Sequence, residues 1–358
     1  MATRPLVILG TGRIGRALLQ QLLHRAGHLR ERYDLALPIA ALASSRLLRT
    51  GAPYLGHEEV EQIAATGLSG GEPVRADPVT RQRELIEALA RASADRPIVV
   101  DVTASDATTP VLLGALDAGC EVVLANKKPL SGDHETFLRL TRHPRSRLGY
   151  EATVGAGLPI IHTLRALTDA GDELIDMTAC LSGTLGYLCT ELEDGRPLSQ
   201  IVPRARELGF TEPDPREDLS GADVKRKALI LARTMNWPLE PDDIADRPMI
   251  PLEEGSVAAW LAGLPAHDAA LATRVRSAHE QGYVLRYVAR ILPGKCDVGL
   301  REVPRSSAVG RLRGSDNIVT ARTRFYDDRP LVISGPGAGP DVTAAGIFGD
   351  ILRLAGAL

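Results

Sequence analysis

A glycine-rich turn near the start of the chain constrains the fold more than any other feature of the sequence. An apolar run, Leu6 to Leu9, precedes the turn and an amphipathic stretch, RALLQQLLHRA, follows it. The turn itself consists of Gly10, Thr11, Gly12, Arg13, Ile14 and Gly15. Strand, G-x-G-x-x-G and helix in immediate succession form the dinucleotide-binding fingerprint in the context that it requires. A turn with only a structural role is the alternative.

Each glycine of this turn has an expected role. Gly10 permits the tight turn, Gly12 lets the backbone approach a pyrophosphate, and Gly15 lets the helix close on the strand. The pyrophosphate is expected at the helix N-terminus, because free N–H groups and the helix dipole favour an anion there.

The end of the second predicted strand, Leu37 to Ala43, bears on which dinucleotide binds. An NAD-selective site carries Asp or Glu there for the ribose hydroxyls. This chain instead has two serines followed by Arg46. Space and positive charge suit a 2′-phosphate, so the sequence favours NADP over NAD; a solvated Arg46 without a ligand is the alternative.

Two further apolar strands are predicted at Ile98 to Val102 and Glu121 to Leu124, and the second runs into Lys127. Loops at the carboxyl ends of parallel strands line the ligand crevice of an open α/β sheet. Lys127 is therefore expected to face the nicotinamide and a substrate carbonyl. The loop after the first of these strands has three candidate cofactor-binding residues: Thr103, Ala104 and Ser105.

A charged stretch, residues 211–227, sets acidic residues against Lys225, Arg226 and Lys227, and its helix is predicted to continue as KALILARTM. Asp223 and Lys227 are four residues apart and so share one face of a helix. Only five of the 42 basic Lys and Arg residues are lysines. A retained lysine can mark a site that needs a group able to release its proton. The alternative is a helix N-terminus with surface ion pairs.

Two other segments are candidate binding elements. The run YEATVGAGLPI, with Glu151 as its carboxylate, is expected to be a domain hinge; a loop that presents backbone carbonyls to a hard cation is the alternative. Gly183 and Thr184 begin a predicted helix, whose N-terminus suits a substrate carboxylate.

Composition excludes several classes of protein. A formal net charge of −3 and a pI near 6.3 argue against a dedicated nucleic-acid binder. The four cysteines lack C-x-x-C spacing, so neither a disulfide framework nor a zinc site is expected. Because the first strand begins at once and no apolar run approaches the ~18 residues of a membrane span, we expect a cytoplasmic protein.

The alternation of strands and helices stops near Tyr150, which predicts two domains. We expect an α/β fold with a Rossmann dinucleotide-binding domain at 1–150, completed by 335–358. The second domain, 151–334, is expected to be α+β with a mostly antiparallel sheet, and to carry catalysis and dimerisation.

Taken together, the motifs resemble homoserine dehydrogenase. They occur in that family's order over residues 5–350: GTGRIG, DVTAS, ANKKPL, YEATVGAGLPII, LSGTLGY, TEPDPREDLSGADVKRKALILAR and GPGAG…TAAG. The resemblance implies NAD(P)-dependent interconversion of L-aspartate 4-semialdehyde and L-homoserine, on the route to threonine, methionine and isoleucine. It also implies a short, monofunctional enzyme of the type that is usually a homodimer.

The resemblance assigns roles to individual residues. Lys227 and Lys127 are implied as catalytic lysines, with Asp218 at the reaction centre. Glu212 and Asp223 are implied as ligands of the substrate, and Gly339 as a contact of the cofactor. A monovalent cation, usually sodium, is implied at four residues: Glu151, Val154, Ala156 and Leu158.

This sequence departs from the family at one point. Several members carry His-Pro before the GSDN turn, but this chain reads VPRSSAVGRLRGSDN, so no histidine can transfer a proton there. Two rival interpretations are weaker. Aspartate-semialdehyde dehydrogenase needs an activated cysteine with a histidine partner, and a nucleotide sensor would not need both lysines and three acids.

Overall fold

The computed structural model describes residues 1–73, 77–92, 96–144 and 147–358, and within them the chain forms two compact units. The first unit comprises Met1–Gly157 and Ala338–Leu358, and the second comprises Leu158–Gly337. Each unit is built around a sheet of its own.

The first unit alternates strands and helices. Its strands are β1 (Ala2–Thr3), β2 (Leu6–Leu9), β3 (Leu35–Ala36), β4 (Ile39–Ala43), β5 (Leu47–Thr50), β6 (Glu72–Pro73), β7 (Ile98–Asp101), β8 (Glu121–Leu124) and β9 (Leu148–Gly149). Its helices up to this point are α1 (Arg13–Tyr33), α2 (His57–Thr66), α3 (Pro78–Ala92), α4 (Thr109–Asp117), α5 (Lys128–Ser131) and α6 (His134–Thr141).

The main sheet of this unit has the strand order β6-β5-β4-β2-β7-β8-β9. The strands β4, β2, β7, β8 and β9 run parallel, whereas β5 and β6 form an antiparallel edge. Every residue of β2, β4 and β7 is buried, as expected for parallel strands that are covered on both faces. Because β4 and β7 flank β2 on opposite sides, the topology reverses at β2, and such a switch point is where α/β sheets bind ligands.

The second strand differs from its prediction at one end. It begins at Ile39 rather than Leu37, because Pro38 has no N–H group to donate to a ladder. The strand β5 was not predicted, because its residues, LLRT, are mostly not buried and so lack an apolar pattern.

The second unit carries an antiparallel sheet with helices. Its strands are β10 (Leu174–Cys180), β11 (Ile244–Asp246), β12 (Tyr283–Leu292), β13 (Lys295–Pro304), β14 (Asp316–Thr323) and β15 (Leu331–Pro336). Its helices are α7 (Ile160–Asp169), α8 (Gly183–Glu193), α9 (Leu198–Glu207), α10 (Pro215–Leu219), α11 (Ala222–Thr234), α12 (Val257–Gly263) and α13 (Pro265–Glu280).

The sheet order is β11-β13-β12-β10-β14-β15, and every pair except the parallel β11–β13 is antiparallel. The predicted fold class, a Rossmann-type α/β domain with a second, mostly antiparallel sheet domain, is therefore confirmed.

The charged stretch does not enter one continuous helix. It forms α10 and α11, which are separated by Ser220 and Gly221. Gly221 has φ +75°, and a Cβ atom there would lie 1.8 Å from the hydroxyl oxygen of Tyr287. Only glycine fits both this left-handed backbone and this close approach.

The chain ends in α14 (Pro340–Leu354), which belongs to the first unit. Its apolar residues Ile347 and Ile351 join the same core as Leu18 and Leu22 of α1. Across the described residues, no helix combines the length and the apolar character that crossing a membrane requires.

Candidate active site

The glycine turn of the first unit has the geometry of an anion-binding helix start. Gly10 has φ +107°, and a Cβ atom on Gly15 would lie 2.2 Å from the carbonyl oxygen of Gly10. Around Gly12, in contrast, a Cβ atom would meet nothing within 4 Å. No side chain caps the N-terminus of α1, and its first turn contains no acidic residue. These features fit a dinucleotide pyrophosphate.

The turn between β4 and β5 lies next to this loop. The backbone N–H of Gly10 donates to the carbonyl of Ala43 at 2.8 Å, which connects the glycine turn to the end of β4. The Ser44 hydroxyl oxygen accepts from the N–H groups of Arg46 (3.3 Å) and Leu47 (3.0 Å). Arg46 itself is exposed. The chain thus presents a guanidinium group after β4, with no carboxylate at positions 44–46.

A buried polar network joins the ends of β7 and β8. The Asp101 carboxylate accepts from the N–H of Thr103 at 2.8 Å, the hydroxyl of Thr108 at 2.6 Å and the amide of Asn126 at 3.0 Å. Asp101 is fully buried and Asn126 is 2% exposed. The network fixes both the Thr103–Ser105 loop and the segment that carries Lys127. Asp101 and Asn126 were not predicted as site residues, although a carboxylate at the end of an otherwise apolar strand was a usable signal.

The segment that begins at Glu151 contains the predicted cation ligands, and it closes the first part of the first unit at Gly157. Glu151 is 3% exposed, and its N–H donates to the Asp350 carboxylate of α14 at 2.8 Å. Gly155 and Ala156 follow with φ +78° and +56°, so the backbone turns sharply after Val154. One buried carboxylate beside turning backbone carbonyls is a donor set that suits a hard cation. Leu158, the remaining predicted ligand, is the first residue of the second unit.

Lys227 lies at the centre of the candidate site in the second unit. Its side chain comes from α11, and only 9% of the residue is exposed. The ammonium donates to the carbonyl of Leu181 at 2.6 Å and lies 2.9 Å from the carboxylate of Asp223. The predicted pairing across one helix face is therefore present.

Asp218 connects two other predicted residues to this cluster. One carboxylate oxygen accepts from the N–H of Glu212 at 2.8 Å, and the other lies 3.1 Å from the hydroxyl of Thr184. Burial raises the pKa of Asp218, and the negative charges of Glu212 and Asp223 add to this effect. Because those two charges act on Asp218, three acids share one region, which suits a cationic group such as a substrate ammonium.

A salt bridge between Asp214 and Arg216 holds the start of α10. Asp214 accepts from the N–H of Arg216 at 3.0 Å and pairs with its guanidinium at 2.7 Å. That guanidinium holds the pKa of Asp214 below its usual range. Arg216 also donates to the carbonyls of Glu253 and Gly255. Asp214 is thus the N-cap of α10, and the role of Arg216 in anchoring it was not predicted.

Gly183 and Gly339 both lie at helix N-termini. Gly183 is the first residue of α8, and the hydroxyl of Ser182 caps that helix by accepting from the N–H of Leu185 at 3.2 Å. Gly339 precedes α14 in the first unit with φ +123°, and a Cβ atom there would meet nothing within 4 Å. Lys127 also belongs to the first unit, so its joint action with Lys227 stays a prediction.

The lysines of the charged stretch differ in setting. Lys225 lies 3.2 Å from Asp246 in a partly exposed ion pair, which is the surface role that the simpler interpretation assigned to the whole stretch. Lys227, in contrast, is largely buried.

The cysteines are unsuited to nucleophilic chemistry. All are free and buried, and burial raises the pKa of Cys120 and Cys189 to about 11 and that of Cys180 and Cys296 to about 12. A thiol with so high a pKa is protonated at neutral pH, so it is not an activated nucleophile.

Comparison with known protein families agrees with the motifs. The family described as homoserine dehydrogenase matches residues 159–352, and the one described as homoserine dehydrogenase, NAD binding domain, matches residues 10–147.

Individual relatives show the same pattern. The chain is 38% identical over 358 residues to bifunctional aspartokinase/homoserine dehydrogenase 1 of Zea mays, covering 97% of this chain and 38% of that protein. It is also 38% identical over 277 residues to a homoserine dehydrogenase of Emericella nidulans, covering 72% of this chain and 75% of that protein.

Among solved structures, a hyperthermophilic archaeal homoserine dehydrogenase in complex with NADPH has the same fold, with a TM-score of 0.74 at 24% identity. That similarity covers 99% of this chain and 98% of the archaeal one. The chain spans less than half the length of the bifunctional relatives that it matches. By its two matching domains and its sequence identity, the chain belongs to the homoserine dehydrogenase family.

Proposed function

We propose that this chain catalyses the reversible, NAD(P)-dependent reduction of L-aspartate 4-semialdehyde to L-homoserine, a step in threonine, methionine and isoleucine biosynthesis. The observation that carries the proposal is the position of Lys227, which is largely buried beside Asp223 in a cluster with Asp218 and Glu212. Membership of the family supports the same reaction.

Reduction of an aldehyde creates negative charge on its oxygen. The bound dinucleotide supplies the hydride, and the chain must supply a proton and a positive charge. Lys227 fits this task because its ammonium is held in place by Leu181 and Asp223. A positioned proton donor of this kind is typically worth about 10²–10⁴ in rate. Lys127 acts as the second catalytic lysine.

The ends of the substrate have opposite charges. Glu212 and Asp223 bind the ammonium, while Asp218 holds the Glu212 backbone through a 2.8 Å hydrogen bond and so positions that arm. Gly183 and Thr184, at the start of α8, bind the carboxylate, because a helix N-terminus favours an anion.

The first unit binds the dinucleotide, with NADP preferred over NAD. Its contacts come from the glycine turn Gly10–Gly15, the loop Thr103–Ser105, Lys127 and Gly339. The preference is supported by the exposed Arg46 after β4, where NAD-selective proteins have an acid.

A monovalent cation, most simply Na⁺, binds at Glu151 with the carbonyls of Val154, Ala156 and Leu158. The buried carboxylate and the left-handed backbone at 155–156 support this site. Measuring activity in NaCl against choline chloride at constant ionic strength tests it, and equal activity in the two salts contradicts it.

The second unit serves catalysis and dimerisation, and the protein is a cytoplasmic homodimer. A groove of about 640 Å³ on the second sheet, lined in part by Thr178, Val288 and Val332, supports a contact with a second copy. Free, buried cysteines are typical of a reducing compartment. A mass of one chain by light scattering contradicts the dimer.

One assay tests the reaction itself. Purified protein is mixed with L-homoserine at alkaline pH, and reduction of NADP and NAD is followed separately. We expect dinucleotide reduction that depends on L-homoserine, and faster with NADP. If protein that binds NADPH reduces neither NADP nor NAD, the proposed activity is contradicted.

A further inference from the structure

We propose that Asn126 is a positioning residue, which holds Lys127 at the nucleotide-binding edge of the first unit through its contact with Asp101. Asn126 acts on the reaction indirectly, by positioning the neighbouring lysine. The inference rests on the catalytic role proposed for Lys127 and adds a residue to it.

The Asn126 carboxamide uses both of its ends. Its nitrogen lies 3.0 Å from the carboxylate of Asp101 and 2.6 Å from the carbonyl of Ser105. Its oxygen accepts from the backbone N–H of Lys128 at 3.2 Å. One side chain therefore joins the loop after β7 to the segment after β8.

This arrangement fixes the backbone on both sides of Lys127. The N–H groups of Ala125 and Asn126 both donate to the backbone carbonyl of Asp101, at 2.9 and 3.3 Å. On the other side, Lys128 is held by the Asn126 oxygen. Lys127 lies between these anchors, as the residue that precedes α5, so the start of its side chain has a defined position.

The chemistry of the network calls for an amide at position 126. Asp101 is fully buried and already accepts from Thr103 and Thr108. An ionised carboxylate only accepts hydrogen bonds, whereas a carboxamide donates at one end and accepts at the other. Aspartate at position 126 would instead bring a second carboxylate to within about 3 Å of Asp101, and two such groups cannot both ionise readily.

The variant Asn126→Asp should therefore show a pH-dependent loss of turnover, which loss of structure alone would not produce. Below the raised pKa of the new carboxyl pair, a shared proton restores a hydrogen bond to Asp101, and the loops stay together. Above that pKa, both groups are charged and repel. Relative to the unmodified protein at each pH, the turnover of this variant should fall as pH rises. Lys128 and Asp106 flank these loops in both proteins, so the ratio compares proteins that differ only at position 126.

Three further variants complete the experiment, with L-homoserine and NADP as substrates. Asn126→Ala should lower kcat at every pH, by up to about 100-fold if Lys127 shifts by about 1 Å, without the added ionisation. The double variant Asp101→Asn/Asn126→Asp exchanges the two groups and should remove the added ionisation. Asn236→Asp adds a carboxyl in an exposed turn with φ +62°. Its turnover should equal that of the unmodified protein at every pH.

Thermal unfolding and NADPH fluorescence verify that each variant is folded and binds the dinucleotide. If Asn126→Asp does not fold, the turnover of Asn126→Ala, compared with that of Lys127→Ala, decides the inference instead. A flat pH ratio for folded Asn126→Asp, or normal turnover of Asn126→Ala while Lys127→Ala is impaired, overturns the inference alone. Normal turnover of Lys127→Ala overturns both this inference and the role of Lys127, whereas an inactive unmodified protein overturns the proposed reaction.

Discussion

Replacing Lys227 by methionine should separate the catalytic role of this lysine from its structural one. Methionine keeps much of the length and apolar character of the lysine side chain but has neither charge nor a proton to donate. In the parent protein the ammonium contacts the carbonyl of Leu181 at 2.6 Å and the carboxylate of Asp223 at 2.9 Å. Both contacts are lost in Lys227→Met.

The loss of stability can be estimated contact by contact. The Asp223 side chain is 48% exposed, so water replaces the lysine there, and such i,i+4 pairs are worth only about 0.3–0.5 kcal/mol. The Leu181 carbonyl loses a donor in a buried setting, which costs about 1–3 kcal/mol. We therefore expect the unfolding midpoint to fall by only a few degrees, with most of the change due to Leu181.

The loss of activity should be much larger. A missing proton donor lowers kcat by about 10²–10⁴, which corresponds to roughly 3–5 kcal/mol in the activation barrier. The Kd for NADPH should stay close to that of the parent, because the glycine turn belongs to the first unit.

Lys225→Met is a matched control from the same helix. Lys225 pairs with Asp246 at 3.2 Å in a partly exposed setting, so this variant should turn over normally. Steady-state reduction of NADP with L-homoserine measures kcat, and NADPH fluorescence measures Kd. Normal kcat for Lys227→Met, or equal losses in both variants, would refute the role assigned to Lys227.

Four other variants test separate parts of the site. Burial raises the pKa of Asp218, so the stability that its protonated form contributes is lost as pH rises through that pKa. Asp218→Asn should therefore raise the unfolding midpoint at pH 7 more than at pH 4, while lowering kcat. An equal change of the midpoint at both pH values contradicts this prediction. Gly221→Ala places Cβ in the left-handed region 1.8 Å from the hydroxyl of Tyr287 and should destabilise by at least about 1–2 kcal/mol; the loss should be smaller in a Tyr287→Phe background, so strictly additive losses contradict the clash. Arg46→Ala should raise KM for NADPH more than KM for NADH, and an unchanged ratio removes the 2′-phosphate role. Glu151→Gln should abolish any activation by NaCl over choline chloride, and retained activation places the cation elsewhere.

Much of the first unit follows from local sequence alone. Strand, glycine turn and helix are adjacent in the chain, so Leu6–Leu9 and the start of α1 at Arg13 could be predicted from spacing. The mostly apolar β7 and β8 were predictable for the same reason, since buried parallel strands need apolar residues on both faces. The ion pair of Asp223 and Lys227 was predictable because helix geometry sets the distance between positions i and i+4.

Other features depend on contacts between residues far apart in the sequence. Gly221 divides the charged stretch into two helices because Tyr287, from a distant strand, occupies the space of a Cβ atom. Asp218 has a raised pKa because the folded chain buries it near Glu212 and Asp223. The spacing of residues in the sequence does not show that Tyr287 packs against Gly221 or that Asp218 is buried.

Short-range patterns of apolar and charged residues were enough to predict the fold class, the glycine turn and the candidate lysines and acids. Which of those groups are buried, and which residues hold them, depends on how the folded chain packs. That packing placed Lys227 against the carbonyl of Leu181, and it joined Asp101 to Asn126 across two strand ends. Hydrogen bonds between residues 25 and 46 positions apart form only once the chain has folded.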